Sequence, residues 1–328
     1  MSNGTDPLAI AERSELRGDL GVATTAYERL VASGEAPVAA EARFRLGRIA
    51  WRQGRLDDAL THYSLAAASA DEHGLTALRA RVENGVGAVH FARGEYPEAR
   101  ASYGAARQLD SANPALLGRV LLNLGAIASI EGDLPAARDA YLESEAALAI
   151  AGDDAARAVA LHNLGMVSAE LEQWEDAAAR YASCLQLCER LGNRQMFAHV
   201  LLEESGLHCV GGRFDAAIAR CDRALAIYAE LGDKPGRGSS LRARSRALRL
   251  AGRHADAGSD ATEALRIAAR LRSRLLEAEA TRELGLVRLA MGDATAASSL
   301  LAGALATFTE LGAEREMSAV RAELAGAL

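Results

Sequence analysis

The sequence predicts an all-α fold: eight helical hairpins stacked in series and closed by one C-terminal helix. Three observations predict it. An Ala recurs at 23, 59, 99, 137, 177, 217, 257 and 297, in steps of 36, 40 and 38 and then 40 throughout. Five residues before each anchor stands Gly18, Gly54, Gly94, Gly132, Gly212, Gly252 or Gly292, with Glu172 the one exception. Four residues after it stands Tyr27, Tyr63, Tyr103, Tyr141 or Tyr181, then Cys221, Ala261 and Leu301. Self-similarity at such a period is the signature of a repeat architecture, in which each unit is one supersecondary element.

Each unit then follows in order, with expected bounds near 4–39, 40–79, 80–117, 118–157, 158–197, 198–237, 238–277 and 278–312 of a single domain over 1–328. In every unit the segment before the Gly has helical apolar spacing, and Gly ends a helix at little cost because it accepts the left-handed conformation. The segment after it carries the Ala and the Tyr one turn apart on a single face. A second small-residue pair precedes the anchor by twelve and thirteen positions, as Leu46-Gly47, Val86-Gly87, Leu124-Gly125, Leu164-Gly165 and Leu284-Gly285. A Gly or Ala where two helices cross lets their backbones approach, and the Tyr is expected to supply bulk toward the next unit. Pro97, Pro114, Pro135 and Pro235 sit at or near helix ends, where they do little harm. LGNR (191–194), LGDK (231–234) and LGAE (311–314) stop second helices with a further Gly.

Units six and seven depart from the pattern, because Glu204-Ser205 and Arg244-Ser245 replace the Leu-Gly pair. The Leu slot faces the interior of a hairpin. Either this acid and this base pair across the interface of neighbouring units, or a local shift turns both outward. Residues 313–328 read as a lone amphipathic helix. One hairpin cannot bury its own apolar face, but eight in a stack form a continuous core.

Composition agrees. Of 328 residues, 50% are hydrophobic, 25% charged and only 4% aromatic, so the core must be built from Ala, Leu and Val. The net charge of −7 argues against a general affinity for nucleic acid or an anionic membrane. Lys234 is the only Lys among 37 basic residues. Arg suits bidentate pairing with carboxylates, though GC-biased codon usage is the simpler cause. The first twenty residues lack a basic start and an apolar run, so no signal peptide is expected. No stretch approaches the twenty or so apolar residues that span a bilayer. Cys184, Cys188, Cys209 and Cys221 form no disulfide-type framework, and the cytoplasm is the expected location.

The Leu-Gly pair, the turn Gly, the Ala anchor and the following Tyr together resemble the tetratricopeptide repeat, over almost the whole chain. The 40-residue step is similar to the long-helix variety found in bacterial regulators and in scaffolds of the kinesin light chain and Leu-Gly-Asn types. The resemblance implies a right-handed superhelix of eight helix pairs with a solvating capping helix. It also implies that the first helix of each pair lines a concave face. The facing slots hold Arg45, Arg48, Trp51 and Arg52, then Arg81, Asn84 and Phe91, then Arg119 and Asn123. His162, Asn163 and Met166 follow, and further along Arg242, Arg246, Arg249 and Arg282, opposed by Glu12, Glu15, Glu41, Glu170, Glu203 and Glu283. By the same resemblance Asn123 and Asn163, each directly before its Leu-Gly pair, are expected to bond a peptide backbone, since an amide donates and accepts at once. Asn84 lies one residue early. Alternatively these Asn bond helix backbone or water, and Trp51 and Phe91 pack between units.

No catalytic constellation is legible: the chain has no HExxH, GxSxG or phosphate-binding loop. GDKPGRGSS (232–240) has the wrong order for a phosphate cradle and reads as the loop between units six and seven. The four cysteines with His208 could converge on a soft metal, but they occupy packing slots and read as core filler. No metal, cofactor or enzymatic activity is expected. The expected role is a scaffold holding a segment of another protein, an acidic one being suited to it, through Asn-backbone and Arg-carboxylate contacts. The rival is a regulatory sensor, whose pitch changes when a small peptide or metabolite enters the groove and which acts through a separate output protein. A helical RNA-binding repeat is disfavoured by the charge and the long period.

Overall fold

Short Gly-containing turns between helices of similar length leave each helix only one way to bury its apolar stripe, against its neighbour in the chain. The computed structural model describes residues 7–33 and 35–327, and among them every regular element is an α-helix. The chain forms two compact units, Met1–Ala160 and Leu161–Leu328. The first contains the hairpins α1 (Pro7–Leu16) with α2 (Leu20–Ala32), α3 (Ala36–Arg52) with α4 (Leu56–Glu72), α5 (Thr76–Ala92) with α6 (Tyr96–Leu109), and α7 (Pro114–Ile130) with α8 (Leu134–Ala151). The helix α9 (Asp154–Glu170) contains the unit boundary. The second unit continues with α10 (Trp174–Leu191), then α11 (Arg194–Val210) with α12 (Phe214–Leu231), α13 (Lys234–Leu250) with α14 (His254–Leu271), and α15 (Arg274–Ala290) with α16 (Ala294–Leu311). The closing helix α17 (Glu314–Ala327) packs Val320 into the cluster of Leu301, Ala304 and Phe308.

The repeat skeleton sits where the spacing expects it. All eight Ala anchors are fully buried, and the five Tyr are exposed by 3% or less. The seven turn glycines before the anchors all have positive φ. Glu172, the exception, takes the same left-handed backbone at φ 58°, so the geometry is kept without the residue that suits it. Arg272 does likewise at φ 54°, in the place where Gly152, Gly192, Gly232 and Gly312 end other second helices.

Four expectations need correction. The Tyr does not simply fill space toward the next unit, because its ring lies on the Gly of its own hairpin. A Cβ built on Gly87 would stand 2.6 Å from Tyr103 Cε1, and one on Gly47 2.6 Å from Tyr63 Cε1. Tyr63 also reaches the next hairpin, where a Cβ on Gly85 would stand 2.7 Å from its Cζ.

The hairpin bounds are shifted. First helices begin at 36, 76, 114, 154, 194, 234 and 274, each four residues before the expected boundary. From α8 onward a left-handed residue ends each second helix and one more residue leads into the following helix, so the connection needs only two residues, against three or four before α3, α5 and α7. Asn193 Oδ1 accepts from Met196 N–H at 3.2 Å, and Asp233 Oδ1 accepts from Gly236 N–H at 2.8 Å. GDKPGRGSS is therefore mostly the first turns of α13, not a loop. The two glycines within the helix serve packing, since a Cβ on Gly236 would meet the Tyr228 ring at 2.4 Å and one on Gly238 would meet Leu276 at 2.7 Å. The expected start of the first repeat, at residue 4, lies outside the described residues.

Glu204 and Arg244 do not pair with each other. Arg220 Nε lies 2.8 Å from Glu204, while Arg244 forks onto Asp260 at 2.7 and 2.8 Å and reaches Asp222 at 2.6 Å. Ser205 and Ser245, which replace the Gly, are tolerated because the Tyr is also replaced. Ser205 Oγ lies 3.1 Å from Cys221 Sγ, and Ser245 Oγ donates to Ala257 O at 2.8 Å.

Candidate functional site

The slots counted from the Gly or Ser of each pair determine what the first helices present. On α11 and α13 the residues six, three and two positions before that Ser, and one after it, line the same cavity: His199, Leu202, Glu203 and Gly206, with Ser239, Arg242, Ala243 and Arg246. This cavity of the second unit has a volume of about 460 Å³ and is also bounded by Gln195 and Glu279. A second cavity, of about 340 Å³, has an apolar wall of Met166, Trp174, Leu207 and Val210 facing Glu203 and Arg246. A third, of about 250 Å³, runs from Arg242 and Arg246 to Arg282, Glu316 and Glu323. Arg246 borders all three.

Most of the sequence-selected arginines are already engaged. In the first unit Arg45 bonds Glu41 at 2.8 Å and Glu12 at 2.6 Å, Arg48 bonds Glu15, and Arg81 forks onto Glu41 at 2.8 and 2.9 Å. Arg119 bonds Asp153 at 2.7 Å and lies away from that network on α7. In the second unit Arg249 bonds Glu283 at 2.7 Å, Arg282 forks onto Glu323 at 2.8 and 2.5 Å, and Arg242 lies 3.4 Å from Glu279. Arg315 bonds Glu170 at 2.7 Å. Arg52 and Arg246 are exposed, and among the described residues neither makes an ion pair.

The remaining candidates fall as follows. Trp51 is exposed, whereas Phe91, in the equivalent slot of the next hairpin, packs edge-on to Tyr96 with ring centroids 5.8 Å apart. Asn123 is half-buried, and Asn84 Oδ1 is buried with no hydrogen-bond partner. His162 is 8% exposed and its ring lies 5.0 Å from that of His199. Asn163, the next residue on α9, is half-buried. Burial, helped by the neighbouring His199, pushes the His162 pKa down to about 4, so the ring is neutral at pH 7. Burial pushes the Glu203 carboxyl upward, opposed by His199 and Arg242.

The four cysteines are buried and none forms a disulfide. Cys184 and Cys188 lie 3.9 Å apart along one helix, and Cys221 faces Ser205. They do not assemble with His208 as a ligand set among the described residues. Sequence reasoning missed Trp174, His199 and Glu279. Trp174 is the first residue of its second helix, a slot held by Leu20, Leu56 and Leu134 in other hairpins, and its 41% exposure marks it out. No helix among the described residues is long and apolar enough to cross a membrane.

Comparison with known proteins agrees with this architecture. Family models described as tetratricopeptide repeat match residues 17–73 and 198–270. No curated protein matches the chain. Among solved structures, the chain is similar to a STAND ATPase with a tetratricopeptide-repeat sensor from Pyrococcus horikoshii, at a TM-score of 0.73 and 13% identity, covering 96% of this chain and 50% of that one. It is similar to the apo form of RapI at a TM-score of 0.67 and 12% identity, covering 84% and 99%. A Rap protein complexed with Competence and Sporulation Factor aligns at a TM-score of 0.57 and 12% identity, covering 94% and 97%. At these identities the likeness concerns the fold alone.

Proposed function

Because the chain is a tetratricopeptide-repeat protein, and so of a class that serves as interaction scaffold or sensor, we propose that it holds an acidic segment of another protein on the first-helix face of its second unit. One observation carries the reading. Arg246 stands exposed where three cavities meet, without an ion pair, while Arg242, Arg249 and Arg282 around it are held by carboxylates. A guanidinium fork left open in a concave setting suits a guest carboxylate, and the adjoining wall of Met166, Trp174 and Val210 suits an apolar neighbour of that carboxylate. Asn163, half-buried on α9, offers its amide to a guest backbone. In the first unit Asn123 offers the same contact by itself. The net charge of −7 favours a protein guest over nucleic acid or an anionic membrane, and the chain acts without catalysis.

The test is selection of random twelve-residue peptides on wild-type protein and on Arg246→Glu. Acidic peptides with a nearby aromatic or aliphatic residue are expected to be enriched by the wild type and lost by the variant, with unchanged circular dichroism. Equal retention by both proteins overturns the assignment. A sensor reading is favoured by one feature, the openness of contiguous cavities on the second unit to a small peptide. It requires that a selected peptide change the small-angle scattering profile, and an unchanged profile favours a static scaffold.

A further inference from the structure

We propose that His162, His199 and Glu203 form a binding site for a borderline divalent transition metal ion such as zinc. His199 and Glu203 are four residues apart on α11 and project one turn apart from the same face, with Nε2 and Oε1 at 4.0 Å. His162 approaches from α9, and one ligand atom from each of the three residues lies within 4.8 Å of the other two. It is the one such trio of His, Cys, Asp or Glu among the described residues. All three side chains belong to the second unit.

The second observation concerns His162 itself. It is 92% buried by its 8% exposure, and its Nε2 has no hydrogen-bond partner. An imidazole ligates a metal through one ring nitrogen, and the buried nitrogen left without a partner here is Nε2. A buried imidazole nitrogen with no partner is costly in any other role.

The ligand separations are wider than those on a bound ion, where donors about 2.1 Å from zinc stand about 3.4 Å apart. The rotamers that must move are those free to do so: His199 is 52% exposed and Glu203 37%. The buried His162 then serves as the fixed point. Two imidazoles and one carboxylate match zinc, cobalt or nickel rather than magnesium or calcium, which prefer oxygen donors. Arg242 faces Glu203 and would oppose a cation, but Glu279 at 3.4 Å draws its charge away. A fourth position opens into the cavity lined by His199 and Glu203, leaving room for water or a guest group.

The experiment uses the full chain without an affinity tag, stripped of metal by a chelating resin and titrated with Co²⁺ by visible absorbance and with Zn²⁺ by calorimetry. The expected result is one ion per chain. Binding should weaken by at least the 10–100-fold seen for lost supporting groups on removal of a direct ligand, in His199→Ala and in Glu203→Gln. Both residues are partly exposed, so these variants keep the fold even where His162→Ala does not. No stoichiometric binding by the wild type, or equal affinity in His199→Ala, overturns the site. The readout is metal alone and is independent of whether Arg246 holds a guest.

Discussion

Gly87→Ala is the perturbation that tests the stacking logic most directly. A methyl added there would stand 2.6, 2.7 and 3.0 Å from three ring carbons of Tyr103. Carbon atoms rest about 3.5–4.0 Å apart, so the helices must separate by about 1 Å or the ring must leave. The ring is 1% exposed and locked among Leu116, Val120 and Ile127. Overpacking of this kind costs typically about 1–3 kcal/mol, and the gain in helix propensity from Gly to Ala returns about 1 kcal/mol. The net expectation is a loss of up to about 2 kcal/mol. Gly104→Ala is the control, since a Cβ at that helical position meets nothing within 4 Å, and it should stabilise by about 0.4–1 kcal/mol. The two substitutions are chemically identical and should differ in sign.

A cycle makes the test sharper. The protein already carries the compensated pair Ser205 with Cys221, Sγ to Oγ 3.1 Å, in the slots equivalent to Gly87 and Tyr103. Gly87→Ser with Tyr103→Cys should therefore lose less than the sum of its single variants, by about 0.5–3 kcal/mol of coupling. Urea denaturation followed by circular dichroism gives the midpoints. Hydrogen exchange over residues 76–109 localises the effect, which matters because long repeat arrays do not unfold as one unit. An additive cycle, or Gly87→Ala and Gly104→Ala shifting the midpoint alike, would refute the reasoning.

Three further outcomes are expected. Glu41→Gln removes the acceptor of Arg45 and of the Arg81 fork and should cost about 1.5–3 kcal/mol by denaturation, whereas Glu263→Gln at the exposed Arg266 pair should change nothing measurable. The His162 pKa, about 4 in the folded chain, lies below the ordinary value near 6.5, so the unfolded state binds more protons between those limits. Stability should accordingly be complete above about pH 6.5 and fall as the pH drops toward 4, and scanning calorimetry on His162→Gln should show a flatter profile. Burial pushes all four thiols upward and Cys221 to about 11, so none should react with a disulfide reagent at pH 8 until the chain is unfolded in urea.

The anchors were legible because packing repeats: Ala59, Ala99 and Ala177 are each fully buried at the same place in their hairpins, so the same small residue returns. Bounds were displaced because caps such as Asn193 and Asp233 look like linker residues, yet their side chains start a helix at once. The left-handed backbone at Glu172 was visible only as a gap in the Gly series, since the flanking units impose a turn whatever residue fills it. The site was legible in part. First-helix slots identify Arg242, Arg246 and His162, but periodicity does not tell which Arg finds a carboxylate. That depends on residues one repeat away, as Arg81 on Glu41 and Arg282 on Glu323 demonstrate. His199 was out of reach for the same reason, and Glu203 read only as a facing acid, since their joint meaning arises only when α9 brings His162 beside them.

A single register accounts for what looked irregular in the sixth and seventh hairpins. Gly47 meets Tyr63, Gly87 meets Tyr103, Gly125 meets Tyr141 and Gly165 meets Tyr181, each sixteen residues on, and Ser205 meets Cys221 at the same interval. One residue earlier the same interval joins Glu204 to Arg220 and Arg244 to Asp260. A charge entering the Leu slot is thus answered inside its own hairpin, and no partner from the neighbouring unit's Leu slot is needed. Pairs between hairpins follow a second interval of about one repeat, as in Arg45 with Glu12, Arg119 with Asp153 and Arg249 with Glu283. Ionic pairing at both intervals leaves few cations unanswered on the first helices. Arg246 is one of them, and its isolation within an otherwise neutralised wall, more than the abundance of Arg, is what gives the second unit a place to receive a carboxylate.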